Sequence, residues 1–282
     1  MNIWITGAEG QLGRSLRKAL RDASDRCIFT DRELDLTVRE AVLRFAREEL
    51  IDVVVNCAAY TDVERAETEE QKAYAVNAEA AGHLAEAMRE REGLMIHIST
   101  DFVFMGGCCA LLPETAQPRP INAYGRTKLA GERAIESSGC NYMIWRTAWL
   151  YSAYGRNFVK TILRLSAERD ELRVVCDEIG SPTYAGDLAE AIAEVIRERR
   201  FVGGIYHYTN LGECSRWEFA QEICRLAGRA VRIHPCRAEE YPSAVCRPKN
   251  AVLDKTKIQE RLALKIPHWK ESLKRCLDEL QA

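Results

Sequence analysis

Met1-Asn-Ile-Trp-Ile-Thr-Gly-Ala-Glu-Gly-Gln-Leu-Gly13 opens the chain, and its reading decides the fold. The apolar run from Asn2 to Thr6 stops at a glycine, glycines recur at 10 and 13, and a helical apolar pattern occupies 11–21. A strand that passes through a glycine turn into a helix brings backbone close to a pyrophosphate at the helix N-terminus. There, unpaired N–H groups and the helix dipole favour an anion. The spacing is G-x-x-G-x-x-G rather than G-x-G-x-x-G, and a tight βα connection would use some of the same glycines. The context points to a dinucleotide cradle made by Gly7, Gly10, Gln11, Leu12 and Gly13.

Outward from the cradle the same rhythm repeats. Residues 26–31, 52–57, 95–99 and 141–146 read as strands, and 38–50, 70–91 and 123–138 as helices. Alternation of this kind predicts an α/β fold, a doubly wound parallel sheet over 1–150. Helical patterns at 158–168, 187–199, 217–227 and 268–280, joined by Gly- and Pro-containing connections, predict a smaller C-terminal substrate-binding lobe. That lobe spans 151–282, with some elements returning to the first domain. The second strand ends on Asp31, 18 residues beyond Gly13, where a carboxylate can accept from an adenosine ribose. Arg32 beside it suits a 2′-phosphate, so NADH and NADPH both stay open. Asp35 and Leu36 follow where they could flank the adenine, although a helix N-terminal turn also accounts for Asp35.

Composition removes several classes. The 282 residues, 47% of them hydrophobic, suffice for a large core, and 40 basic against 42 acidic side chains leave no basic excess for nucleic acid or an anionic membrane. The opening apolar run is too short for a signal peptide and no later segment reaches membrane-spanning length, so a cytoplasmic location is expected. Eleven cysteines, an odd number scattered without a C-x-x-C pair, read as free thiols. The vicinal pair Cys108-Cys109 falls in an expected loop and is given no role.

Among ten tyrosines, Tyr124 alone has a lysine four residues later, and 123–138 reads as a helix, which sets Tyr124 and Lys128 on one face. A phenol that titrates near pH ~10 acts as a proton donor at neutral pH only if a neighbouring cation favours its anion, and Lys128 can supply that field. A surface Tyr beside a surface Lys is the duller reading; the upstream cradle raises the other. Met95-Ile-His-Ile-Ser-Thr-Asp101 carries a strand into two hydroxyls and a carboxylate at the sheet edge where ligands bind, although Ser and Thr also end strands as turn formers.

These segments, with Val55-Asn-Cys-Ala-Ala-Tyr-Thr-Asp-Val63, Ser99-Thr-Asp-Phe-Val-Phe104, Asn122-Ala-Tyr-Gly-Arg-Thr-Lys-Leu-Ala-Gly-Glu132, Arg146-Thr-Ala-Trp-Leu-Tyr151, Asn157-Phe158 and Arg247-Pro-Lys-Asn-Ala-Val-Leu-Asp254, resemble the extended short-chain dehydrogenase/reductase family. The resemblance covers nearly the whole chain and implies a Rossmann sheet. It implies Thr100, Tyr124 and Lys128 as the catalytic set, with Tyr124 and Lys128 also at the nicotinamide ribose and Ala58, Ala59 and Tyr60 along the cofactor. Asp101, Trp149, Asn157 and Arg247 would meet a sugar nucleotide, Arg247 at its diphosphate. Each has a plainer alternative: Trp149 as core, Ala58 and Ala59 as small residues under a helix, Arg247 as partner to a nearby carboxylate.

The implied reaction is hydride transfer from NADPH or NADH to the C4 ketone of a dTDP-4-keto-6-deoxy sugar, a step in nucleotide-sugar and cell-surface polysaccharide biosynthesis. Homodimers and a magnesium ion at the dimer contact occur in the family; no residue here is assigned to the metal. Two rivals remain: an epimerase of the same superfamily, and a non-catalytic subunit resembling the beta subunit of methionine adenosyltransferase. Phe102, where the family often has a hydroxylated aromatic, has no proton to exchange and argues against a dehydratase. The loop Met105-Gly-Gly-Cys-Cys-Ala-Leu-Leu112 is unusually apolar.

Overall fold

Strands such as Ile3-Trp-Ile5 and Val53-Val-Val55 have apolar side chains on both faces, so they must be covered on both sides, as in a parallel sheet between helices. A computed structural model describes residues 1–107, 111–241 and 245–281; Cys108-Cys109 lies outside the described residues. In chain order the first half comprises β1 (Asn2–Thr6), α1 (Gln11–Ala19), β2 (Arg26–Thr30), α2 (Arg39–Glu48), β3 (Val53–Asn56), α3 (Val63–Ala66), α4 (Glu70–Tyr74), a π-turn (Ala75–Glu79), α5 (Ala80–Arg91), β4 (Leu94–Thr100), α6 (Ala123–Ser138) and β5 (Asn141–Thr147). The second half comprises β6 (Leu150–Tyr151), α7 (Phe158–Glu168), β7 (Glu171–Val175), β8 (Ile179–Gly180), β9 (Thr183–Tyr184), α8 (Ala185–Arg197), β10 (Gly204–His207), β11 (Cys214–Ser215), α9 (Arg216–Leu226), β12 (Arg232–Cys236), α10 (Thr256–Leu262) and α11 (Trp269–Gln281).

Six parallel strands form the main sheet in the order β10-β5-β4-β3-β1-β2. The chain moves from β1 outward to β2, then crosses back to β3 on the other side of β1. The crevice therefore opens at the C-terminal ends of β1 and β3, with Thr6 in register with Asn56. Ile3, Ile5, Val53, Val55 and Ile96 face one way, onto α1, α8 and α10. Trp4, Val54 and Met95 face the other, onto α2, α5 and α6. A third apolar cluster joins α7, α9, α11, β7 and β12 into the smaller lobe.

Two features depart from the sequence reading. A sixth strand, β10, comes from the second half of the chain, and α8 covers the sheet, so the return of late elements to the first domain is extensive. The helix expected over 70–91 is interrupted by the π-turn. Gly131 of α6 packs against this bulge so closely that a Cβ there would stand 2.1 Å from the Asn77 carbonyl oxygen.

Candidate active site

The glycines of the first turn are required by contact. Gly7 has φ +62°, and a Cβ on it would lie 2.7 Å from the Ala58 nitrogen; one on Gly13 would lie 2.4 Å from the Gly7 carbonyl oxygen. The turn after β1 is thus pressed against the segment after β3, leaving an open cradle at the start of α1. Gly10 caps that helix without any side-chain hydrogen bond, so its first N–H groups face outward. A pyrophosphate fits this arrangement, and a β-carbon at 7 or 13 would not. Asp31 stands at the rim, where its Oδ2 accepts from the Glu9 nitrogen at 3.0 Å, with Arg32 exposed beside it.

Ala58, Ala59 and Tyr60 run along the other wall. Tyr60 is gripped by Asn77, whose Oδ1 accepts from the Tyr60 nitrogen (2.8 Å) and whose Nδ2 donates to the Tyr60 carbonyl (3.1 Å) and to Thr127 Oγ1 (3.0 Å). The π-turn thereby ties the segment 58–60 to α6. Asp35 and Leu36 are occupied differently: Asp35 caps its own turn through Thr37 (2.9 and 2.7 Å), and Leu36 packs against the apolar cluster behind the sheet.

Thr100, Asp101 and Tyr124 converge at the end of β4. Thr100 Oγ1 donates to Asp101 Oδ1 (3.1 Å), accepts from the Phe102 nitrogen (3.2 Å) and lies close enough to the Tyr124 phenol to favour its anion. Burial and the Asp101 charge push the Tyr124 phenol up to about 12, partly offset by Thr100. Burial also raises the Asp101 carboxyl to about 7, against the pull of Thr100 and Arg216. The Phe102 ring meets the Tyr124 ring edge-on at 5.5 Å.

Lys128 departs from the expectation that it acts on Tyr124. Its Nζ donates to the Ile98 carbonyl (2.6 Å) and lies 3.3 Å from His97 Nε2, and burial lowers its pKa to about 8 against the opposing charge of Glu132. What moves the phenol is burial, Thr100 and Asp101.

On the lobe side, Trp149 has φ +48°, a backbone conformation that needs support from its surroundings. Its indole is held between Gly180, where a Cβ would sit 2.8 Å away, and the Arg216 guanidinium, 3.6 Å above the ring. Arg216, at the start of α9, also lies 3.8 Å from Glu178 and acts electrostatically on Asp101; burial pulls its pKa down to about 10. Arg247 lies near enough to Arg216 to repel it, and its Nη2 is 3.3 Å from Glu64 Oε1, the carboxylate pairing held open in the sequence. Asn157 stands apart: it caps α7 through Lys160 and spends its amide on Gln11 Oε1 (3.0 Å) and the Ser152 and Tyr154 carbonyls. It braces the lobe to the glycine turn at the start of α1 instead of joining the Thr100 cluster. Among the described residues no group of three or more His, Cys, Asp or Glu is arranged to hold a metal.

The family described as the RmlD substrate binding domain matches residues 1–282. The chain belongs to this family. A dTDP-4-dehydrorhamnose reductase of Burkholderia thailandensis is 38% identical, with 99% of each chain covered. Among solved structures, a dTDP-4-dehydrorhamnose reductase of Clostridium acetobutylicum superposes with TM-score 0.96 at 42% identity over 100% of both chains. One from Bacillus anthracis, in complex with NADP, superposes with TM-score 0.94 at 39% identity over 99% of each. The RmlD match spans sheet and lobe alike, so the crevice between them belongs to the family fold.

Sequence reasoning missed Arg216, Asn77, His97 and Glu132. His97 and Glu132 lie inside quoted motifs, but nothing in their spacing shows that they face Lys128. Arg216 follows Ser215 in an ordinary capping box, and only folding brings it over Trp149.

Proposed function

We propose that this chain reduces the C4 ketone of dTDP-4-dehydrorhamnose to give dTDP-L-rhamnose, with NADPH as the hydride source. The observation that carries the reading is the buried, protonated Tyr124 phenol beside the Thr100–Asp101 pair, next to a glycine cradle suited to a dinucleotide. The raised phenol keeps its proton at neutral pH, and the alkoxide that builds on the ketone oxygen is basic enough to take it without a neighbouring cation. The reductase names of full-length relatives, one in complex with NADP, support it.

In this mechanism the nicotinamide supplies the hydride when bound. Gly7, Gly10 and Gly13, with Gln11 and Leu12, would hold the pyrophosphate, and Ala58 to Tyr60 would line the path to the nicotinamide. Asp31 would take the adenosine ribose, and exposed Arg32 the 2′-phosphate. Thr100 would orient the ketone oxygen, and Tyr124 would give its proton to the alkoxide as charge builds. Lys128 would hold the nicotinamide ribose. Asp101 and Trp149 would place the sugar, with Arg216 and Arg247 at the diphosphate. A cytoplasmic location suits such soluble substrates.

The test is loss of nicotinamide absorbance with dTDP-4-keto-6-deoxy sugar generated in place with its epimerase, each nicotinamide being offered in turn. Stoichiometric release of oxidised cofactor is expected, faster with NADPH. Interconversion of sugar nucleotides without net cofactor oxidation would replace the reading with the epimerase. Binding of NADPH without turnover of any keto sugar would favour the non-catalytic subunit.

A further inference from the structure

The buried polar groups beneath Lys128 form a chain whose donor and acceptor roles can be fixed one after another. The Ala58 backbone N–H, which only donates, points at Asn56 Oδ1 (3.1 Å), and the Thr6 hydroxyl reaches the same oxygen (2.8 Å). Turning the Asn56 amide over would set its NH2 group against the Ala58 N–H, so Oδ1 accepts and Nδ2 donates. Nδ2 lies 3.0 Å from His97 Nδ1, which must present a lone pair there. Burial, with Lys128 adjacent, keeps the imidazole neutral by lowering its pKa well below the usual value. The single ring proton is then on Nε2, 3.3 Å from Lys128 Nζ. Against an ammonium this is donor facing donor; against an amine it is a hydrogen bond. The Ile98 carbonyl at 2.6 Å accepts from the lysine in either form.

We propose that His97 is a positioning residue for Lys128: as an Nε2–H donor anchored by Asn56, it holds the lysine nitrogen and favours the amine over the ammonium. Other groups around the nitrogen pull in different directions. Glu132, one turn further along α6, favours the ammonium, and its buried carboxylate is fixed by Arg146 (2.6 and 2.9 Å) and Ser99 (2.5 Å). Cys57, past the end of β3, would also favour the ammonium if ionised, but burial keeps it a thiol. Tyr124, one turn back on α6, is a neutral phenol. Burial outweighs Glu132 and lowers Lys128 to about 8, and the Nε2–H of His97, 3.3 Å from the nitrogen, adds to that preference for the amine.

The kinetic arm of the test rests on the reductase reading; the spectroscopic arm does not. Reduction rates should fall as pH rises through the lysine's value, because the ammonium that would hold the nicotinamide ribose is lost. In His97→Gln the side-chain carbonyl can accept from the ammonium, so the alkaline limb should move up by about one pH unit. Rescue of the wild-type limb is not expected from any variant that lacks a ring donor. An unmoved or lowered limb would overturn the proposal. Independently, 15N spectra of the full-length wild-type chain, with His97 assigned through its own backbone among five histidines, should show a bare Nδ1 and protonated Nε2. That tautomer should persist between about pH 6 and 9. A proton on Nδ1 would overturn it even if the chain turned over no keto sugar and even if His97→Gln failed to fold.

Discussion

At the scale of single residues the site is governed by burial acting on titratable groups. Tyr124→Phe removes the proton donor but keeps the ring against Phe102, so turnover should fall by about a hundredfold or more while NADPH affinity stays within about threefold. Steady-state rates with cofactor titration by fluorescence check both halves, and a near-normal rate would remove Tyr124 from the mechanism. Asp101 carries a second prediction. Its folded carboxyl, 3% exposed, titrates near about 7, above the ordinary value of 3.8, so the native state holds the proton more tightly than the unfolded chain. Stability is therefore greatest below the unfolded value and declines as pH rises from about 4 to 7. Asp101→Asn cannot ionise. It should raise the melting temperature at pH 8 and leave it nearly unchanged at pH 4.5, a differential on the order of a few kcal/mol. Equal shifts at both pH values would show that Asp101 is ionised throughout.

At the scale of elements, glycine positions separate contact from propensity. A methyl at Gly13 would meet the Gly7 carbonyl and Ala8 backbone at 2.4–2.7 Å, and backbone there cannot yield cheaply. A methyl at Gly82, within α5, meets only the Ala134 side chain at 3.6 Å. Gly13→Ala should weaken NADPH binding at least about tenfold and lower the melting temperature, with a cost of about 1–3 kcal/mol. Gly82→Ala should stabilise by roughly 0.5–1 kcal/mol and leave activity alone. Thermal melts and cofactor titrations of both variants test the pair, and the opposite signs must both appear. The sequence disclosed these elements unevenly for physical reasons. Residues 2–6 and 53–56 are apolar on both faces, which only a covered strand tolerates, and the glycines sit where a turn needs them. In β10, Gly204-Ile-Tyr-His207 is short and mixed, and it becomes a strand only through pairing with β5. The π-turn also has no local signature. Its Asn77 meets Tyr60 and Thr127, residues distant in sequence, so the contacts that accompany it cannot be read locally. The Tyr124–Lys128 spacing was legible for the same reason that the lysine's orientation was not: periodicity gives the face of a helix, whereas His97 and Ile98 decide where the amine goes.

At the scale of the molecule, one buried carboxylate ties the helix on the sheet to the helices of the lobe. Asp187 of α8, 3% exposed, accepts from Ser272 (2.5 Å) and Arg275 (2.5 Å) on α11 and from Asn210 (2.7 Å) beyond β10. Helix α8 lies on the first-domain sheet, and α11 packs through Trp269 against Phe219 of α9, the helix that begins with Arg216. Loss of the carboxylate should therefore be felt in both halves. Asp187→Ala leaves three donors without their acceptor; because Arg275 is half exposed and recovers water, the cost should be roughly 2–3 kcal/mol. Unfolding followed by far-ultraviolet circular dichroism and by tryptophan fluorescence should keep a single coincident transition at lower temperature. In the folded fraction, KM for the sugar nucleotide should rise more than KM for NADPH, since α11 supports the Arg216–Trp149 stack and not the glycine cradle. Two separated transitions, with the cofactor-binding half unmoved, would mean that the lobe hangs on its own core and that Asp187 is not the tie.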